Sequence, residues 1–273
     1  MTVTHWIFSA TVLFYGLSGW SSFRYYRILD DSIDQQAVNW LKLGFIFQAA
    51  GLAWIWLGTG YAPLTTVAGI LMSLSFFISA ALIIGRLKTV VPVLTSLFLP
   101  LIFLLSLGAL FAGVGAAPLM DPRLMTPGMA CHISLTFFGF SHFTLGFGVA
   151  VAFWIQEGQL KQHQIKSWSY RLPALESLDS LTVFHIGLGF LFWLGGLGLG
   201  AIQAFQVWNR LPMDDPKILG SFLVLVIYGL FFLLRWGFKM RGRKTMVLVM
   251  AGYFLALFTF VGVRVFLSTL HGF

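Results

Sequence analysis

Residues 90–113 read VVPVLTSLFLPLIFLLSLGALFAG, twenty-four positions without one charged side chain. A helix of about 20 apolar residues crosses a hydrocarbon core of roughly 30 Å. This run offers no polar face on which a soluble helix could meet water. Seven further apolar runs lie on either side of it, at 4–23, 37–57, 64–85, 128–155, 182–207, 218–236 and 245–270. The expected fold is therefore all-α, a polytopic membrane bundle of about eight transmembrane helices, forming a single integral membrane domain over 1–273. No tandem repeat or low-complexity tract stands out. The composition agrees: 58% of residues are hydrophobic and 10% charged, where soluble domains carry about 25% charged residues. The 29 Phe and 10 Trp suit lipid contact and interfacial anchoring.

The formal net charge of +8 is explained by topology rather than by nucleic acid, because the basic residues sit in short loops beside apolar runs. Arg24, Arg27, Lys42, Arg86, Lys88, Lys161, Lys166, Arg171, Arg235, Lys239, Arg241, Arg243 and Lys244 fall on one side, and Arg123, Arg210, Lys217 and Arg264 on the other. Basic loops stay cytoplasmic, so both termini are expected outside. Met1 to Trp6 holds no Lys or Arg and does not read as a cleavable signal.

Local chemistry marks several helix starts. Thr126-Pro127 and Asp215-Pro216 each fit an N-cap followed by a first-turn proline, and Pro63 fits the start of the third span. Pro100 should kink the fourth, because its ring removes a backbone hydrogen bond. The cytoplasmic loop 156–181 carries Leu172, Leu175 and Leu178 at helical spacing and is expected to form a short amphipathic surface helix.

The topology sorts the six histidines. His132 near the outer end of span five and His271 just past the outer end of span eight share one membrane level. Two facing imidazoles saturate a haem iron; the plainer reading makes both of them interfacial histidines bonded to headgroups or backbone. His142, roughly 15 Å of helix deeper, and His185 read as packing or hydrogen-bonding residues. His5 and His163 carry no specific expectation. Arg264 precedes His271 by seven residues and falls on roughly the same helix face; it is either a functional cation or an arginine snorkelling to the interface. The outer loop Trp208-Asn-Arg210-Leu-Pro-Met-Asp-Asp-Pro-Lys217 could stack a flat macrocycle on Trp208 and meet a carboxylate with Arg210 or Lys217. As a plain pattern it is a capped turn. The glycines Gly195, Gly196, Gly198 and Gly200 permit close helix contact. The lone Cys131 cannot pair within the chain, and with Gly128 in place of a second cysteine the haem-attachment motif CxxCH is missing. No catalytic constellation is present.

In order along the chain, Gly60-Tyr-Ala-Pro-Leu-Thr-Thr66, Leu172-Pro-Ala-Leu-Glu-Ser-Leu-Asp179, Ile186-Gly-Leu-Gly-Phe190, Asp215-Pro-Lys217, Arg241-Gly-Arg-Lys244 and Val261-Gly-Val-Arg264 to His271-Gly-Phe273 resemble the cytochrome c assembly family of haem-handling membrane proteins (CcsA- and CcmC-like). The resemblance is closest to the smaller HemX/YpjD type and covers nearly the whole chain. It implies haem at the outer face, with His132 and His271 as axial ligands, Trp208 beside the macrocycle and Arg264 or Arg210 near a propionate. It implies b-type, non-covalent haem in a bacterial cytoplasmic (inner) membrane, with lipid, haem and other maturation proteins or apocytochrome c as partners and no nucleic acid. Of the family's tryptophan-rich WxWD core only Asp215 is kept. Gln48 and Leu230 stand about where larger members have membrane-embedded histidines, so no second, deep haem is expected. The large periplasmic domain of the full synthases is missing, so no enzymatic role is expected of the chain alone. Two rival roles are a membrane regulator of haem biosynthesis, as in the HemX branch, and an accessory or electron-transfer subunit of a larger membrane complex.

Overall fold

The computed structural model describes residues 3–28, 30–60, 62–64, 66–88, 92–113, 126–162 and 172–262. His271, Arg264, Arg123 and His163 lie outside them. Among the described residues the chain is all helical: α1 (Val3–Ile28), α2 (Asp31–Thr59), α3 (Val67–Lys88), α4 (Pro92–Phe111), α5 (Pro127–Lys161), α6 (Leu175–Trp208), α7 (Pro216–Phe232) and α8 (Arg243–Leu257). A π-helical turn follows α7 at Leu233–Gly237 and another follows α8 at Phe258–Gly262. Each expected segment overlaps one helix, and the part of the eighth beyond residue 262 lies outside the described residues. Six are long and apolar enough to cross a membrane: α2, α3, α5, α6, and α7 and α8 with their π turns. Helices suit this solvent because they satisfy their backbone groups internally. Large apolar side chains such as Ile46, Leu191, Val226 and Phe254 are exposed along them.

The ends follow local chemistry. Thr126 caps α5 through its Oγ1, which accepts from Met129 N at 3.1 Å, and Asp215 caps α7 by accepting from the Lys217 and Ile218 amides. Asp30 caps α2 by accepting from Ser32 N at 2.8 Å, and the Ser32 hydroxyl, together with that amide, holds its carboxyl below the usual carboxylate range. The third span starts later than Pro63 suggests, because Thr66 supplies the cap, accepting from Gly69 N at 3.0 Å. Leu175 and Leu178 do not form a separate surface helix. They open α6, and Leu178 is fully buried. Pro100 sits inside α4, leaving Ser96 O without its helical donor.

The chain divides into two compact units, Met1–Ala130 and Cys131–Phe273, the boundary falling in the first turn of α5. The interior of α5–α8 repeats that of α1–α4, residue by residue. Near the start of α2, Asp34 makes a two-pronged ion pair with Arg86 at the end of α3; near the start of α6, Asp179 does the same with Arg235 after α7. Ten residues beyond each aspartate comes a glycine, Gly44 or Gly189, whose missing side chain admits an α1 or α5 ring, Tyr15 or Phe143. Seventeen residues beyond come Gly51, against Phe8, and Gly196, against Thr136. Fourteen beyond come Gln48 and Trp193. Each donates from its side chain to a backbone carbonyl fourteen residues before the arginine: Gln48 Nε2 to Met72 O at 2.9 Å, and Trp193 Nε1 to Ser221 O at 3.1 Å. The buried faces of α4 (Thr95, Leu99, Ile102, Ser106, Ala109) and of α8 with its π turn (Thr245, Val249, Gly252, Ala256, Thr259) have identical spacing.

Both ion pairs are nearly sealed, with side chains 9–13% exposed. Removing one partner strands a buried charge, which typically costs 3–5 kcal/mol. Arg86→Ala and Arg235→Ala should each lower stability by about that much in detergent unfolding titrations. Arg210→Ala, which breaks an ion pair to Asp214 exposed on both sides, should change it by less than about 1 kcal/mol.

Candidate functional site

The site is built from the start of α5. Thr126 and Pro127 begin that helix, so His132 falls in its second turn, facing the glycine-rich part of α6. Its Nδ1 lies 2.7 Å from Gly196 O. A carbonyl oxygen can only accept, so Nδ1 carries the proton and Nε2 keeps its lone pair. A side chain at Gly200 would begin 2.7 Å from the ring's Cε1 and 2.8 Å from Nδ1. Gly196 and Gly200, one turn apart, thus form the cradle in which the imidazole rests. The glycine run, read from sequence as helix packing, also seats a side chain. A histidine that gives one ring N–H to a backbone carbonyl and keeps the other nitrogen free is in the state that metal-ligating histidines adopt.

The helix that carries this cradle ends at Trp208, about 12 Å beyond Gly200. Asn209 closes it in the left-handed conformation, φ 52° and ψ 20°, and donates its N–H to Phe205 O. The connection then folds on itself through Met213 N to Leu211 O and Asp215 N to Pro212 O. Arg210 is exposed and paired with Asp214 at 3.5 Å. Lys217 lies in the first turn of α7, directly after that connection. His132, the end of α6 and the start of α7 therefore belong to one end of the second unit. His271 and Arg264, the other expected members, lie outside the described residues.

The deeper histidines pair with each other. His142 on α5 and His185 on α6 approach Nδ1 to Nδ1 at 3.0 Å, so the expectation of hydrogen bonding holds but missed that each is the other's partner. Metal–nitrogen bonds are about 2 Å long, so two ligands on opposite sides of one iron stand about 4 Å apart. The deep pair is too close for that arrangement. Among the described residues no group of three His, Cys, Asp or Glu side chains is placed to hold a metal ion. Gln48 is bonded to Tyr15, Met72 and Ser75 inside the first unit, whereas Leu230 is 41% exposed.

A bundle of membrane-crossing helices with a carbonyl-oriented histidine at one end is the class defined by fold and site. The sequence model of the family described as Cytochrome C assembly protein matches residues 52–271, and the chain belongs to that family. Curated relatives include the cytochrome c biogenesis protein CcsA of Guillardia theta, 23% identical over 80% of this chain and 78% of its own length. CcsA of Porphyra purpurea is 23% identical over 93% and 91%. Protein HemX of Bacillus subtilis is 27% identical over about half of each chain, 49% and 51%.

The cradle predicts a contrast between neighbouring glycines. Gly200→Ala forces the His132 ring to move and should cost about 1–3 kcal/mol. At Gly198 a methyl group meets nothing within 4 Å, so Gly198→Ala should be neutral or stabilising by up to about 1 kcal/mol. Thermal unfolding of the two variants in one detergent decides.

Proposed function

We propose that the chain binds haem at the outer face of a bacterial cytoplasmic membrane and takes part in cytochrome c assembly, holding or delivering haem there. Family membership supports a role in cytochrome c assembly. The observation that carries the site is the hydrogen bond from His132 Nδ1 to Gly196 O, which leaves Nε2 as the atom to meet iron. When bound, haem supplies an iron that accepts two imidazoles and a flat ring with anionic propionates. In this reading His132 and His271 would hold the haem iron, both termini would lie outside, and the haem would be b-type and non-covalent.

The chain's own residues divide the work. Gly196 O fixes the His132 tautomer, and Gly200 leaves room for its ring. Trp208 offers an aromatic wall at the end of α6. Arg210, Lys217 and Arg264 supply the positive charge. The chain holds and presents a cofactor and performs no catalysis of its own. Its partners are lipid, haem and other maturation proteins or apocytochrome c.

Protein purified from its native membrane should show a low-spin bis-histidine spectrum. Acidic acetone should extract the haem, as expected for a non-covalent group. His132→Ala or His271→Ala should abolish the spectrum, and an unchanged spectrum in both variants contradicts the assignment.

The similarity to protein HemX favours a second reading, a membrane regulator of haem biosynthesis acting through the cytoplasmic segment between α5 and α6. Deleting residues 163–171 separates the two. Loss of regulation with intact cytochrome c maturation favours the regulator, and the converse favours assembly.

A further inference from the structure

We propose that the His142–His185 pair is a proton-binding site inside the second unit, with His142 Nε2 as the atom that receives the proton. The two rings are 0% and 2% exposed, with centroids 5.2 Å apart and planes at 35°. His142 Nε2 is sealed and has no hydrogen-bond partner among the described residues.

The tautomer follows from that orphaned atom. If Nδ1 of His142 accepted from His185, Nε2 would carry a proton buried without an acceptor, and an unmet buried donor costs about 1–3 kcal/mol. With the roles reversed, Nδ1–H of His142 donates to His185 Nδ1, His142 Nε2 holds only a lone pair, and the His185 proton sits on its Nε2, which is not among the sealed, unpartnered atoms. That lone pair is the basic atom of the pair. Proton uptake there forms one N–H bond and breaks none. His142 becomes an imidazolium, its charge steadied by the bond it already donates to His185.

Geometry rules out larger occupants. Two nitrogens bound to one tetrahedral metal ion at about 2.0–2.1 Å stand about 3.3 Å apart, beyond the 3.0 Å seen here, and among the described residues no third ligand joins them. Apolar rings close the rest. Phe138 lies edge-on to His142 at 4.9 Å, Phe192 is nearly parallel to it at 6.2 Å, and Phe184 lies edge-on to His185 at 5.3 Å.

The internal repeat supplies a control. The positions matching His142, His185 and Phe192 in the first unit are Phe14, Trp40 and Phe47. There Phe14 stacks on Trp40 at 5.8 Å and meets Phe47 at 5.0 Å. The fold fills this place with aromatic rings when nothing else is asked of it. Putting two imidazoles there incurs the expense of burying polar groups, and polar groups at membrane depth point to function. Among the described residues, the charged and titratable groups of the packed helices have partners of their own. Asp179 and Arg235 neutralise each other six residues before His185, Tyr228 of α7 stacks on Phe143, and Tyr253 of α8 stacks on Phe140 and Phe147. The pair lies on the α5–α6 seam that holds His132, about 15 Å further along α5, and it does not depend on the haem reading.

The test is nitrogen-15 NMR of histidine-labelled protein in lipid nanodiscs over an acid titration. The expected result is a scalar coupling between the two Nδ1 atoms through their hydrogen bond. On acidification one imine Nε2 signal should also move into the protonated range while the helical circular dichroism persists. Both features should vanish in the double variant His142→Phe/His185→Trp, which copies the first unit and should retain its helicity. Absence of the coupling, or no titration of either ring before helicity is lost, overturns the proposal. Should the double variant fail to fold, the wild-type titration still decides, with signals assigned by replacing the other four histidines one at a time.

Discussion

In hydrocarbon a polar group cannot fall back on water, and leaving it without a partner inside the protein is costly. Helices meet this demand for the backbone. Side chains meet it pairwise: Asp34 with Arg86, Asp179 with Arg235, Gln48 with Tyr15, Met72 and Ser75, and His132 with Gly196 O. These contacts tie helices together at defined heights, and apolar packing alone, which lipid tails can imitate, specifies such heights less well. The glycines act alongside them. At Gly44 and Gly189 a ring from the neighbouring helix occupies the space a side chain would take, which brings the backbones close enough for the polar contacts to form.

The same rules produce two units with one plan and different contents. In the first, the centre is polar: Tyr15, Gln48, Ser75, Ser79 and Ser106 join in one hydrogen-bonded group. At the matching places the second unit has Phe143, Trp193, Val224, Tyr228 and Ala256, with Phe143 stacked on Tyr228 at 4.1 Å. Where the first unit is aromatic, at Phe14 and Trp40, the second has its buried histidine pair. Each unit keeps the terminal ion pair and the close-approach glycines, and each places its polar cluster differently. The elements held in common position the helices, and those that differ are where specialised chemistry can reside.

Much of the fold was legible in the sequence, because lipid imposes a length and a composition that leave few alternatives. The helical segments among the described residues were visible, as were the caps at Thr126 and Asp215, whose side chains and following prolines act locally. Pro63 misled because a proline tolerates a helix start without requiring one, and the cap came from Thr66. Leu175 and Leu178 misled because a periodic apolar stripe reads alike on a surface helix and on the first turns of a longer one. The repeat was hidden because its equivalent positions keep their geometry and change their residue type, as Gln48 and Trp193 do. His132 was identifiable as a candidate from its level in the membrane. Its seat on Gly196 and Gly200 was not, since nothing in a run of glycines says which ring will occupy it. That His142 and His185 meet depends on the registry of α5 against α6, which no local pattern encodes.

The central claim is that His132, oriented by Gly196 O, presents Nε2 to a haem iron. Chemical rescue tests it most directly: His132→Gly protein, purified from its native membrane, is titrated with free imidazole while the optical spectrum is recorded. The account predicts that the low-spin bis-histidine spectrum is lost in the variant and returns as imidazole fills the vacated cradle. A low-spin spectrum that persists in His132→Gly without added imidazole would contradict it.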